Sequence, residues 1–156
     1  MTGSSVPAAM SYLHEQIKLL PACAAPVVVN LGFPAQRAET WVSIGVEPDD
    51  DETETELIRA DLGANSDREN PVVPCVIRVR SRLSDPNAAT AQAVEDAFTI
   101  FDAVAAFVRK DQQLGGNVTG DARIPEYRMR LTNTQGQAGE GRVCRIYFTI
   151  TWSNFL

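Results

Sequence analysis

Six arginines pose the first chemical question. Arg78, Arg80 and Arg82 alternate within VVPCVIRVRSRL, Arg128 and Arg130 within ARIPEYRMRLT, and Arg145 lies in RVCRIYFTITW, Arg142 to Trp152. Period two is the spacing of a strand, so each run turns its guanidiniums to one face and its apolar residues to the other. The apolar sets are Cys75, Ile77 and Val79, then Tyr127, Met129 and Leu131, then Cys144, Ile146, Phe148, Ile150 and Trp152. Guanidiniums gathered on neighbouring strands bind carboxylates, either of the same chain or of another copy. A source of carboxylates is present in PDDDETETE, where Asp49, Asp50 and Asp51 open an acidic run that continues to Glu56. An arginine-bearing face and an acidic loop are complementary patches suited to head-to-tail assembly, and heterologous contacts that close give rings.

Other reactive residues carry less. The acidic run lacks the glycine that lets a calcium loop wrap its ion, and threonines interleave instead, which describes a solvated loop able to meet a basic partner surface. His14 is the single histidine, so no metal pair and no ordinary triad is available, and an edge or solvated ring is expected. Cys23, Cys75 and Cys144 are odd in number, far apart and without a CxxC pair, which points to buried thiols rather than a disulfide framework or zinc site. There is no GxSxG, HExxH, P-loop or GxGxxG, and the glycines of LGG and GQAGEG read as turns. A protein without catalytic site, cofactor or metal is expected. A small metal-assisted hydrolase using the acidic loop and arginines is the distant alternative.

The 156 residues suit one domain, residues 1–156, able to bury roughly 70% of the unfolded surface. A formal charge of -6 is the wrong sign for a general phosphate-backbone binder, so no sequence-specific nucleic acid partner is expected. Neither a secretory signal nor an apolar run of about 18 residues is visible, which places the protein in a cytosol-like compartment with no membrane partner.

The elements that position the arginines follow from periodicity. After a loose terminus, residues 1–5, Ser4 or Ser5 caps a helix with Pro7 in its first turn and Met10, Leu13, Ile17 and Leu20 on one stripe, ended by Pro21. VVVNLGF, Val27 to Phe33, reads as a strand or as an apolar arm, and TWVSIGVE, Thr40 to Glu47, as a strand with Val42, Ile44 and Val46 on its aliphatic side. A long acidic loop at about 48–71, tightening near Leu57 and Ile58, precedes a strand from about Val72 to Leu83. The clearest element is a long helix: Asp85 caps, Pro86 takes the first position, and Val94, Ala97, Phe98, Phe101, Val104, Ala105 and Val108 form its stripe. Arg109 and Lys110 complement the helix dipole and LGG, Leu114 to Gly116, stops it. Two final strands flank the connector NTQGQAGEG, and the apolar face of the last packs under the long helix. The expected fold class is α+β: a single mixed, mostly antiparallel sheet of four to five strands with an N-terminal helix and a long central helix packed on it.

This order of elements resembles the tail terminator proteins of long-tailed bacteriophages and related prophage particles. The resemblance runs from about Met10 to Trp152 and rests on the N-terminal helix, TWVSIGV, CVIRVRSRL ahead of the long helix, VRKDQQLGGNV, and GRVCRIYFTITW with Gly141-Arg142 leading the last strand; Asp49 to Asn70 lies outside it. It implies a small α+β subunit that assembles as a homohexameric ring on the last ring of the tail tube, stops its polymerisation and offers the joining surface for the head. Its partners would then be itself, the tail tube protein and the neck or connector proteins, with DNA passing through the lumen. It would be assembled in the host cytoplasm and reside in the virion. Another neck or tail-completion component is the nearest alternative. Candidate contacts are Asp49, Asp50, Asp51, Arg78, Arg80, Arg82, Arg128, Arg130 and Arg145.

Overall fold

A computed structural model describes residues 4–32, 39–46, 59–62, 68–133 and 141–155, with backbone alone for 59–62. The elements in chain order are α1 (Val6–Ile17), β1 (Val28–Leu31), β2 (Trp41–Ile44), β3 (Arg59–Leu62), β4 (Arg68–Ser81), α2 (Pro86–Lys110), β5 (Tyr127–Asn133), β6 (Arg142–Thr151) and β7 (Asn154–Phe155). Five strands run in the order β1-β2-β4-β6-β5, and the short β3 and β7 pair with the first half of β4. Only β1 and β2 are parallel; the remaining pairings among the described strands are antiparallel. This is the expected mixed, mostly antiparallel α+β sheet, extended by β3 and β7.

Both helices cover one face of the sheet. Ala9, Leu13 and Ile17 of α1 and Ala93, Ala97, Ile100, Phe101, Val104 and Val108 of α2 meet Val42, Ile44, Val73, Cys75, Ile77, Val79, Cys144, Ile146, Phe148 and Ile150 in one buried cluster. The run RVCRIYFTITW is thus buried in two ways. Its apolar side chains pack in this cluster, and its backbone pairs with β4 from Val72 to Ser81 and with β5 from Tyr127 to Asn133.

Local chemistry sets the helix ends. The Asp85 carboxylate accepts from the Ala88 amide at 2.8 Å ahead of Pro86, so α2 begins where a cap and a fixed φ coincide. Asp85→Ala should lower stability by about 1 kcal/mol, read as a shifted urea midpoint at unchanged slope. At α1 the cap position is Ser5, which makes no side-chain cap bond; Ser4 Oγ instead accepts from the Val6 amide at 3.2 Å.

Four expectations require correction. The strand expected from Val72 to Leu83 runs from Arg68 to Ser81, so Arg82 lies beyond it. Part of the loop expected at 48–71 is a hairpin, with Arg59–Leu62 antiparallel to Glu69–Val72; RADL has no alternation, and its pairing is dictated by the backbone edge of β4. The α2 stripe is wider than expected: Ala89, Ala93 and Ile100 are buried beside the expected Ala97, Phe101, Val104 and Val108, while Val94, Phe98 and Ala105 are partly buried. Ser5, expected in a loose terminus, is 6% exposed and hydrogen-bonded to Glu69 and Trp152.

Candidate functional site

Strand register assembles the arginines. Trp41 of β2 lies opposite Arg78 of β4, Arg78 opposite Arg145 of β6, and Arg145 opposite Arg130 of β5, forming one row across four strands. The next row runs Ser43, Val76, Tyr147 and Arg128, and a third places Arg80 beside Val143 and Thr132. All lie on the face turned away from α1 and α2, since the alternate residues of the same strands fill the helix-covered core.

Their surroundings differ. Arg145 is 5% exposed and donates to Thr132 Oγ1 at 3.2 Å, so it is built into the sheet. The Arg128 guanidinium sits 5.2 Å over the Tyr147 ring, a cation–π contact, and both Arg128 and Arg130 are exposed on the outermost strand. At the other side of the array Glu39 collects three arginines: Arg82 Nε donates to its carboxylate at 3.1 Å, Arg80 Nε lies 3.6 Å from it, and Arg78 Nη1 donates to its carbonyl at 3.1 Å. The Arg82 hydrogen bond, then the charges of Arg82, Arg80 and Arg78, outweigh burial and hold the Glu39 carboxyl below its ordinary value. Arg82 and Glu39 are each about half exposed, so solvent screens this pair and it adds little to stability.

The sequence-predicted residues therefore part into three groups. Arg78, Arg145 and Arg130 share one row, with Arg80 and Arg128 in the flanking rows; Arg82 leaves the strand but reaches Glu39; Asp49, Asp50 and Asp51 lie outside the described residues. Glu39 was not singled out by sequence, because a lone glutamate before a strand has no distinguishing spacing. The three exposed apolar residues of β5 were legible as a face but not as an open one: Tyr127, Met129 and Leu131 are 52%, 43% and 46% exposed. α2 reaches only the start of that strand, where Tyr127 meets Phe98 and Phe101 at ring distances of 5.6 and 5.0 Å.

The remaining reactive groups are packed away. Burial pushes the thiols of Cys23 and Cys144 up to about 11 and that of Cys75 up to about 12, so all three are poor nucleophiles at neutral pH. His14 Nε2 lies 3.1 Å from the Val29 carbonyl where α1 meets β1. Among the described residues no three histidine, cysteine or acidic side chains converge as a metal site, and no helix is long and apolar enough to cross a membrane. What the arrangement offers chemically is recognition: basic and apolar surface on opposite sides of one edge strand.

No family model matches the chain, and no curated protein matches it.

Proposed function

We propose that this protein is a tail-terminator-like virion subunit that closes into a ring on the end of a phage tail tube, halts tube growth and presents the joining surface for the head. The observation that carries the reading is the order of elements in the fold. β4 feeds α2, α2 runs through Asp111 into the Leu114–Gly116 turn, and the β5–β6 pair closes the sheet with Arg142 opening the last long strand.

Ring formation has a physical basis in the sheet. β1 and β5 end the five-strand path of the sheet and they are chemically different, as head-to-tail contacts require. Capping follows if the ring matches the last tube ring on one face and offers a different face outward. Nothing in that role calls for a catalytic group.

The test is native mass across protein concentration, with negative-stain images of the same samples and of samples mixed with purified tail tubes. Closed rings of about six copies that sit on tube ends are the expected result. A strict monomer that leaves tubes uncapped overturns the reading, and retention by portal-side protein rather than tube protein would assign the chain to another neck component.

A further inference from the structure

We propose that the groove between α2 and the residues leading into β5 receives Leu19 of a neighbouring copy, so that each subunit of the ring seats the end of its α1 on the next; this rests on the ring reading above. α1 packs on β1 and β2, and α2 on β4 and β6, so the helix layer stops one strand short of β5. The step leaves a groove of about 470 Å³ lined by Phe101 and Ala105 of α2 and by Ile124, Pro125 and Tyr127. Phe101, Ala105 and Arg109 recur at spacing four, one above another on the side of α2 that borders the groove. Arg109 and Glu126 complete the lining, a cation and an anion around apolar walls. Among the described residues neither of these two side chains makes a hydrogen bond or an ion pair.

Shape and charge select the occupant. Among the described residues Leu19 is the most exposed large apolar side chain, at 70%, and it stands just beyond the last turn of α1. Glu15, one turn earlier, and Lys18 beside it give this leucine one carboxylate and one ammonium, the converse of the Arg109 and Glu126 that border the groove. In a single copy Lys18 Nζ and Glu15 hold each other at 3.0 Å, but both are exposed, and such a pair contributes so little that exchanging it for Glu126 and Arg109 around a buried leucine is favourable. The other exposed apolar residues lack this pattern. Phe155 carries the Arg68 guanidinium over its ring, Leu31 lies between Asn30 and Gly32, and Leu83 lies between Arg82, which Glu39 holds, and Asp85, which caps α2. A second groove cannot fill the first, since a hollow needs a projecting side chain.

Strand order decides that the leucine comes from another copy. Leu19 follows the helix over β1 and β2, whereas the groove adjoins β5, at the far end of the five-strand path. Even β2 and β5 are three strand spacings apart, roughly 14 Å, more than a leucine side chain can cross. The contact joins two unlike surfaces at opposite ends of one subunit, and such a contact repeated by rotation closes a ring. Tyr127, Met129 and Leu131 continue the apolar strip from the groove along β5, so the neighbour's helix end extends the helix layer over the strand that this chain leaves bare.

Native mass and capping of purified tail tubes, read for a set of variants, test this. Leu19→Asp should weaken self-association roughly a hundredfold and leave the urea midpoint nearly unchanged, because residue 19 is exposed within one copy. Lys18→Glu and Glu126→Lys should each associate roughly tenfold more weakly than the wild type. Their equimolar mixture should regain the wild-type mass, because every contact in an alternating ring again joins opposite charges. A Leu19→Cys chain mixed with an Ala105→Cys chain should give a disulfide between the two chains, with the buried native thiols as silent background. A Leu19→Asp chain that assembles as the wild type does, or a charge-reversed mixture no stronger than its components, would overturn the seating of Leu19 while leaving the ring reading standing. A wild-type chain that neither assembles nor caps tubes overturns both.

Discussion

Gly115→Ala should destabilise the protein by about 3 kcal/mol, while Gly116→Ala, one residue on, should cost about 1 kcal/mol. Both glycines have left-handed backbone, with φ of 66° and 87°, and share the strain of an added Cβ. Only Gly115 has a neighbour in the way. A Cβ there would lie 2.5 Å from Tyr12 Cε2 and 2.7 Å from Cζ, whereas nothing lies within 4 Å at Gly116. The ring cannot swing aside cheaply. Its hydroxyl donates to the Asp111 carboxylate, whose other oxygen accepts from the Gly115 amide at 3.0 Å, and its face lies against Phe107. Leu114, fully buried with φ of 48°, anchors the same turn in the core. The turn is therefore a junction of α1, α2 and the path into β5. Urea unfolding of the two variants separates the effects; equal losses would show that the Tyr12 contact contributes nothing.

Glu69→Ala should cost a similar amount, about 3 kcal/mol, through lost hydrogen bonding rather than lost volume. Glu69 is 3% exposed and accepts from the Ser5 amide at 2.5 Å, from Ser5 Oγ and from Asn154 Nδ2 at 3.5 Å. Ser5 Oγ in turn accepts from Trp152 Nε1 at 2.8 Å, and Asn154 Oδ1 accepts from the Thr119 amide at 3.1 Å. One carboxylate thus ties the start of α1, the start of β4 and the short strand β7, and its removal strands several buried donors together.

The pH dependence distinguishes this from a packing effect. Burial alone would raise the Glu69 carboxyl, but donation by Ser5, Ser4 and Asn154 together holds it below its ordinary value of 4.5. A lowered folded-state value means the folded form binds fewer protons, so the contribution is complete above pH 4.5 and disappears as pH falls through the lowered value. The stability gap between wild type and Glu69→Gln should follow that course in denaturant titrations from pH 7 to pH 3. A gap independent of pH would mean that Gln is merely a poor steric substitute.

Period, caps and breakers determined the elements. Asp85-Pro86 starts α2, Leu13 and Ile17 mark the buried side of α1, and Cys144 to Ile150 alternate into the core, because each signal is carried by residues within a few positions of one another. The separation of arginines from apolar residues along β4, β5 and β6 was legible for the same reason. Which arginines stand side by side was not. The row Arg78, Arg145 and Arg130 exists only once β4, β6 and β5 are in register, and a shift of one residue would send each side chain to the opposite face. Burial of Arg145, capture of Arg78, Arg80 and Arg82 by Glu39, and the Ser5, Glu69 and Trp152 clamp join residues far apart in the chain. The hairpin of β3 is likewise unmarked in RADL and arises where the first half of β4 has a backbone edge to satisfy. Local spacing chooses the face of a strand, whereas the neighbours on that face are chosen by long-range backbone pairing, which only the tertiary structure contains.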